Sequence, residues 1–181
     1  MWTAFNPLLS TWSGLVPLAF FVLFMVNIYM AFGVGAARKK YGIKYPQMYA
    51  VPGTPRNYGP NETKALADAS SNTQPLSELC SAEDAYAYNS VQRGHQNSIE
   101  NYPLIIGLTL VSWGFPIPSG FALLSWSLGR IFYFEGYKAN VEKRNQLPAA
   151  LLTYPALLTL WGLALTTAVH LFQKTAPYNY S

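Results

Sequence analysis

The chain has 181 residues, of which 51% are hydrophobic and only 11% charged, with a formal net charge of +4. Soluble domains carry roughly 25% charged residues, so this balance excludes an ordinary soluble globule and points to a small multi-pass membrane protein. Mean hydropathy is only +0.12, because one long polar connection dilutes very apolar segments.

In chain order, MWTAFNPLLSTWSG comes first. It has no basic leading region and is not arginine-rich, which argues against a cleaved signal or a transit peptide. The stretch from about Gly14 to Ala37 follows and is long enough to span a bilayer core, which takes roughly 20 helical residues. Arg38, Lys39, Lys40 and Lys44 succeed it, and Pro46 closes the segment. A long connection runs from about Gln47 to Glu83. Its part VPGTPRNYGP suits neither helix nor central strand, and NETKALADA, opened by Asn61 as a cap, reads as a short surface helix. An ordered connection of that length is unusual unless it is functional or docked. Cys80 is the only cysteine, so an intrachain disulfide and a cysteine metal site are excluded. It is expected to be a free surface thiol. The sequons at Asn61 and Asn179 are expected to stay unused, the first on the wrong side and the second against the chain end.

Ser81 is the expected cap of a second helix, with Glu83 and Asp84 favourable in its first turn. Asn89, Arg93, Asn97 and Glu100 then recur at steps of four, four and three, which puts them on one helical stripe. The apolar run LIIGLTLVSWGF after them is too short to span alone. It spans only if the helix extends backward through the stripe, where polar side chains need partners. Pro116 and Pro118 make the turn into a third span, Phe115 to Tyr137, charged only in its last turns by Arg130 and Glu135. Pro148 suits the first turn of a fourth, Leu147 to Phe172, which is uncharged. The expected fold is an all-α membrane protein, a four-transmembrane-helix bundle forming a single domain over 1–181, with a polar loop at about 47–83. The basic connections then share one side, cytoplasmic by the positive-inside rule, with both termini opposite. The positive charge reads as an orientation signal, and no nucleic-acid motif accompanies it.

Metal-ligand spacing, a glycine-rich phosphate loop, a Ser-His-Asp order and a haem motif are all missing from the sequence. His95 lies about half a turn off the polar stripe and reads as a hydrogen-bonded histidine, and His170 sits at the far end of the fourth helix. What remains is a set of Arg, Tyr, Asn and Glu. Arg130, Tyr133 and Tyr137 share a face of the third helix, and Arg144 falls two turns further if that helix continues. Arg38 and Lys39 end the first helix on the same membrane side as Arg93, Asn97 and Glu100. Guanidinium forks for carboxylates, a carboxylate for an ammonium and phenols as donors complement a small zwitterion with more than one carboxylate. Plainer readings exist for individual members. Lys40 and Lys44 suit a lipid-headgroup belt, Tyr133 and Tyr137 an interfacial aromatic belt, Arg93 with Glu100 an ion pair between helices, and Asn89 a helix-packing contact. Their co-occurrence on one side favours a ligand site.

Three blocks carry a family resemblance: ARKKYGIKYPQMYA (37–50), YNSVQRGHQNSIENYP (88–103) and GRIFYFEGY (129–137), with Arg144 beyond. The second is similar to the signature Phe-Asn-x-x-x-Arg-x-x-x-Asn-x-x-Glu-x-x-Pro. The chain resembles the MAPEG family of membrane-associated eicosanoid and glutathione enzymes, most nearly its microsomal glutathione S-transferase 3 branch. The resemblance implies a left-handed four-helix bundle that trimerises, holding glutathione between neighbouring protomers. By motif position, Arg38, Arg93, Asn97, Glu100, Arg130, Tyr133 and Tyr137 would bind glutathione, and Arg144 would activate its thiol. The segment after Tyr137 is a residue shorter than usual in that branch, which leaves Lys143 as the alternative activator. A thiol near pKa 8.5 becomes mostly thiolate at pH 7 after a drop of about two units, roughly 2.7 kcal/mol.

The implied activity is a glutathione transferase or peroxidase acting on lipophilic electrophiles or lipid hydroperoxides, without a metal, in the endoplasmic reticulum or a mitochondrial membrane. The long connection, the extra tyrosines and the tail YNYS suggest an alternative: a catalytically silent subunit that joins other membrane subunits in a larger complex. Tyr88 in place of the signature Phe is a mild departure. A channel or transporter is disfavoured, because four short spans offer little alternating-access machinery.

Overall fold

The first apolar stretch forms α1 (Leu15–Tyr41). The computed structural model describes residues 14–54, 56 and 79–175. Val16, Ala19, Leu23, Val26 and Met30 recur every three or four residues and turn inward, while Leu18, Phe21, Phe24 and Phe32 are exposed. A helix apolar on its outer face as well belongs in a membrane. Helix α1 runs one turn beyond the expected Ala37, carrying Arg38, Lys39 and Lys40 in its last turn, where cations favour the helix dipole. Gly42 ends it in the left-handed region (φ 71°), its N–H bonded to the Arg38 carbonyl.

Helix α2 (Ala82–Val111) is capped by Ser81 as expected, the hydroxyl accepting the Asp84 N–H at 3.0 Å. It is continuous for 30 residues, through the polar stripe and through Pro103. The short apolar run thus gains the length to span by extending backward. A 3-10 turn (Ser112–Gly114) leads to α3 (Pro116–Ala139), which starts on proline. Asn140 is extended (φ −170°, ψ 135°) and its side chain caps a second 3-10 turn (Val141–Asn145). The third helix therefore does not continue to Arg144. Helix α4 (Ala149–Thr175) begins just after Pro148.

Helix α3 packs on the other three, with α1 and α4 meeting it along most of their contact and scarcely touching each other. One apolar cluster joins Val26, Met30, Val34, Tyr88 and Phe134 to Ile43, Ala50 and Cys80 of the connection. A second, at the other end, joins Leu23, Ile105, Leu123, Trp126 and Leu160, and Tyr102 packs against both. Cys80 is only 2% exposed, so the expected surface thiol is corrected. Backbone bonds from Gly53 N–H to the Cys80 carbonyl and from Cys80 N–H to the Thr54 carbonyl, each 2.9 Å, close the connection over it. Burial pushes its thiol pKa up.

Only α1 and α4, among the described residues, are apolar enough to identify as spans from hydropathy alone. Helices α2 and α3, of 30 and 24 residues, are long enough to span, and they too turn large apolar residues outward, among them Leu104, Leu110, Phe121 and Phe132. The molecule is a membrane protein built as a four-helix bundle. The short helix expected after Asn61 and both sequons lie outside the described residues.

Candidate functional site

Arg130, from the second half of α3, is 6% exposed and reaches across to α2. Its Nε and Nη2 donate to the Ser98 hydroxyl at 3.0 and 2.8 Å, and Nη2 also donates to Asn97 Oδ1 at 2.7 Å. The guanidinium lies 3.8 Å from the centre of the Tyr133 ring and 5.4 Å from that of Trp126. A buried guanidinium needs this many partners, and the aromatic faces supply the rest by cation–π attraction. Ser98 in turn donates to the Gly94 carbonyl at 3.1 Å.

Tyr133 and Tyr137 stand edge to face on α3, ring centres 5.2 Å apart. The break at Asn140 brings the following turn back onto the helix, so Arg144 sits 5.9 Å from the Tyr137 ring and donates to the Val141 carbonyl at 2.8 Å. A continued helix would instead carry it about 10 Å further along the axis. Gly136 permits the fold-back: a Cβ there would lie 2.6 Å from the Lys143 carbonyl oxygen and 2.9 Å from Arg144 Cα. Lys143 is exposed, and Arg144 is the partly buried member of the two.

On the outer side of α2, Arg93 pairs with Glu100 at 2.8 Å, two turns along the same helix, both side chains 44% exposed. The pair lies along one helix and does not join two. Arg93 is also within electrostatic reach of the Tyr49 and Tyr137 phenols. The structure thus brings Arg93, Asn97, Glu100, Arg130, Tyr133, Tyr137 and Arg144 to one end of the bundle.

Arg38 comes to the same end but is turned to the connection. Its Nη1 donates to the Gln47 carbonyl at 2.7 Å, and its guanidinium lies 4.1 Å from the Tyr45 ring centre and 5.6 Å from that of Tyr88. Tyr88 donates to the Met48 carbonyl at 3.1 Å. Asn89 closes on Ala50 from both sides, accepting its N–H and donating to its carbonyl, each 2.8 Å. Tyr49 bonds Gln96. Further out, Arg56 donates to the Tyr41 carbonyl and to Asp84 Oδ2, both 2.7 Å, and holds the Asp84 carboxyl below the usual carboxylate range.

Sequence reasoning missed Ser98, Tyr49 and Gln96. Ser98 offered one signal, a small hydroxyl one step round the helix from Asn97. Gln96 adjoins Asn97 on α2 but falls outside the stripe of four, and Tyr49 offered no signal, because a connection has no periodicity to read. His95 is hydrogen-bonded to Asn27 Oδ1 at 3.0 Å, which accords with its plainer reading.

The fold and site define a class: a polytopic helical membrane protein with an arginine- and tyrosine-lined polar cluster at one end of its bundle. Residues 16–166 match the MAPEG family, and the chain belongs to that family. It is a membrane family of glutathione-related transferases and peroxidases.

Proposed function

We propose that this chain is an integral membrane glutathione transferase or peroxidase that works as a homotrimer, its whole length forming one domain. The observation that carries the reading is the cross-helix assembly of Arg130, Asn97, Tyr133, Tyr137 and Arg144 beside the half-exposed Arg93–Glu100 pair. Glutathione has two carboxylates, an ammonium and a thiol. Arg93 and Arg130 suit the carboxylates, Glu100 the ammonium, and Asn97 with the phenols the peptide groups. Arg38 enters by shaping the connection beside them. Arg144, 5.9 Å from the Tyr137 ring centre, is the cation placed to favour a thiolate, and Lys143 is exposed.

Attack by the thiolate sulfur on an electrophilic carbon forms a thioether, the thiol proton having left to solvent; at a saturated carbon the leaving group departs with its bonding pair, and at an activated double bond the π pair takes up a proton from solvent. With a lipid hydroperoxide, two glutathiones yield one disulfide while the hydroperoxide becomes an alcohol and water. The charged end of the bundle faces the cytoplasm in this reading.

A silent scaffold is the second reading, favoured by the extent to which the site is satisfied from within, Arg93 by Glu100 and Arg38 by Gln47. Calorimetry of glutathione on the purified protein in mild detergent separates the two. Saturable binding together with transferase or peroxidase turnover supports the enzyme, and neither binding nor turnover overturns it.

A further inference from the structure

The connection after α1 is held against α2 at closely spaced points. Gln47 and Met48 give their carbonyls to Arg38 and Tyr88, and Ala50 gives both backbone groups to Asn89. Residue 49 is therefore fixed on both sides, and its side chain has one place to go. It meets Gln96, which lies along α2 between Arg93 and Glu100, three residues past the one and four before the other. Tyr137 of α3 packs on Gly94, the residue after Arg93, so tyrosines from two different elements flank this stretch of α2.

We propose that Tyr49 is a ligand-positioning residue of this site, and that Asn89 and Arg38 serve it at one remove by pinning the strap, residues 43–54, that carries it. The proposal rests on the glutathione reading and deepens it. A carboxylate that draws Arg93 away from Glu100 meets the Tyr49 hydroxyl as a second donor once that proton turns from Gln96 Oε1. A pinned strap spares the ligand the entropy of ordering it. Arg38, 9% exposed and stacked between Tyr45 and Tyr88, acts on the ligand through this strap.

The test uses the full chain in mild detergent. Glutathione affinity is read by calorimetry, kcat by steady-state assay, and strap order by amide hydrogen exchange of a peptide covering 43–54. Tyr49→Phe removes only the hydroxyl. Its glutathione Kd should rise about fivefold, the loss of one hydrogen bond, with kcat and strap exchange unchanged. Asn89→Ala should speed exchange at Met48–Ala50 and raise Kd by a similar factor, and the double variant should bind no more weakly than Asn89→Ala alone. Wild-type affinity in Tyr49→Phe overturns the proposal, as does an Asn89→Ala strap that exchanges faster with Kd unmoved. A wild-type protein that binds no glutathione overturns the reading of the site itself, and is told apart because it fails before any variant is compared.

Discussion

Arg130 and Arg144 are both arginines at the same end of the bundle, yet their surroundings give them different work. Arg130 spends Nε and Nη2 on Ser98 and Asn97, a fork that lysine has no geometry to copy. It fastens α3 to α2 and fixes the Tyr133 ring beneath it. Arg144 is anchored only to its own turn, through the Val141 carbonyl, and lends its charge to the Tyr137 side of the site. In the proposed enzyme a guanidinium near the thiol favours thiolate, so its removal should return the bound thiol towards about pKa 8.5. Arg144→Ala is expected to lower turnover at pH 7 about 25-fold, with activity recovering as pH rises past the thiol's own pKa. Lys143→Ala should leave the pH profile unmoved. The pH dependence of thiolate absorbance in the glutathione complex measures both. Much at this scale was legible: the spacing of Asn97, Arg130 and Tyr137 put each on a face that the structure uses. Ser98 was not, because a buried hydroxyl is recognised only once the guanidinium it accepts from has been placed.

Helix ends decide more of the site than helix interiors do. The cap at Ser81 and the extent of α2 could be read in advance, because capping and periodicity are local signals. The end of α3 could not: nothing local distinguishes Asn140 from a helical residue, and the fold-back depends on Gly136 lying opposite. Gly136→Ala would press a methyl group into the Lys143 carbonyl. It should cost about 1–3 kcal/mol by overpacking and should also show the raised thiol pKa of Arg144→Ala, because the turn carrying that arginine is displaced.

At the start of α2, Arg56 lowers the Asp84 carboxyl. A lowered folded-state value means the contribution is full above the unfolded carboxyl's pKa near 3.9 and fades as pH falls through the folded value. Thermal unfolding between pH 7 and 3 should therefore show an acid limb that Asp84→Asn diminishes. The change at neutral pH should stay under about 1 kcal/mol, since the pair is open to solvent.

The whole bundle presents a problem that one chain does not solve. Helices α1 and α4 are spans by hydropathy, and all four helices turn apolar residues outward. The Arg93–Glu100 pair, half-exposed on a helix that must cross the membrane, would be costly against hydrocarbon. A second protomer over that face would remove the cost, which is what the proposed trimer predicts. In mild detergent the protein should run as a compact assembly of three chains, and substituting Glu100→Leu should weaken it. Co-migration with a much larger membrane complex would favour the scaffold reading. Hydropathy alone pointed to the bundle, but the second span was readable only from the requirement that its polar stripe be included. The length of the connection hinted at docking, but its contacts were beyond any sequence signal, because its bonds go mostly to backbone carbonyls.

The two backbone bonds that join Gly53 and Thr54 to Cys80 have a consequence for how the protein can change. They set the entry and exit of the intervening stretch a single hydrogen bond apart, with Arg56, just inside the entry, fastened to Asp84, just past the exit. Chain length between two points already in register adds only slowly to the closure entropy. Length can accumulate there, or be lost, while the helices and their arginines stay where they are. A change of chain length between residues 54 and 80 is thus expected to cost the fold little entropy.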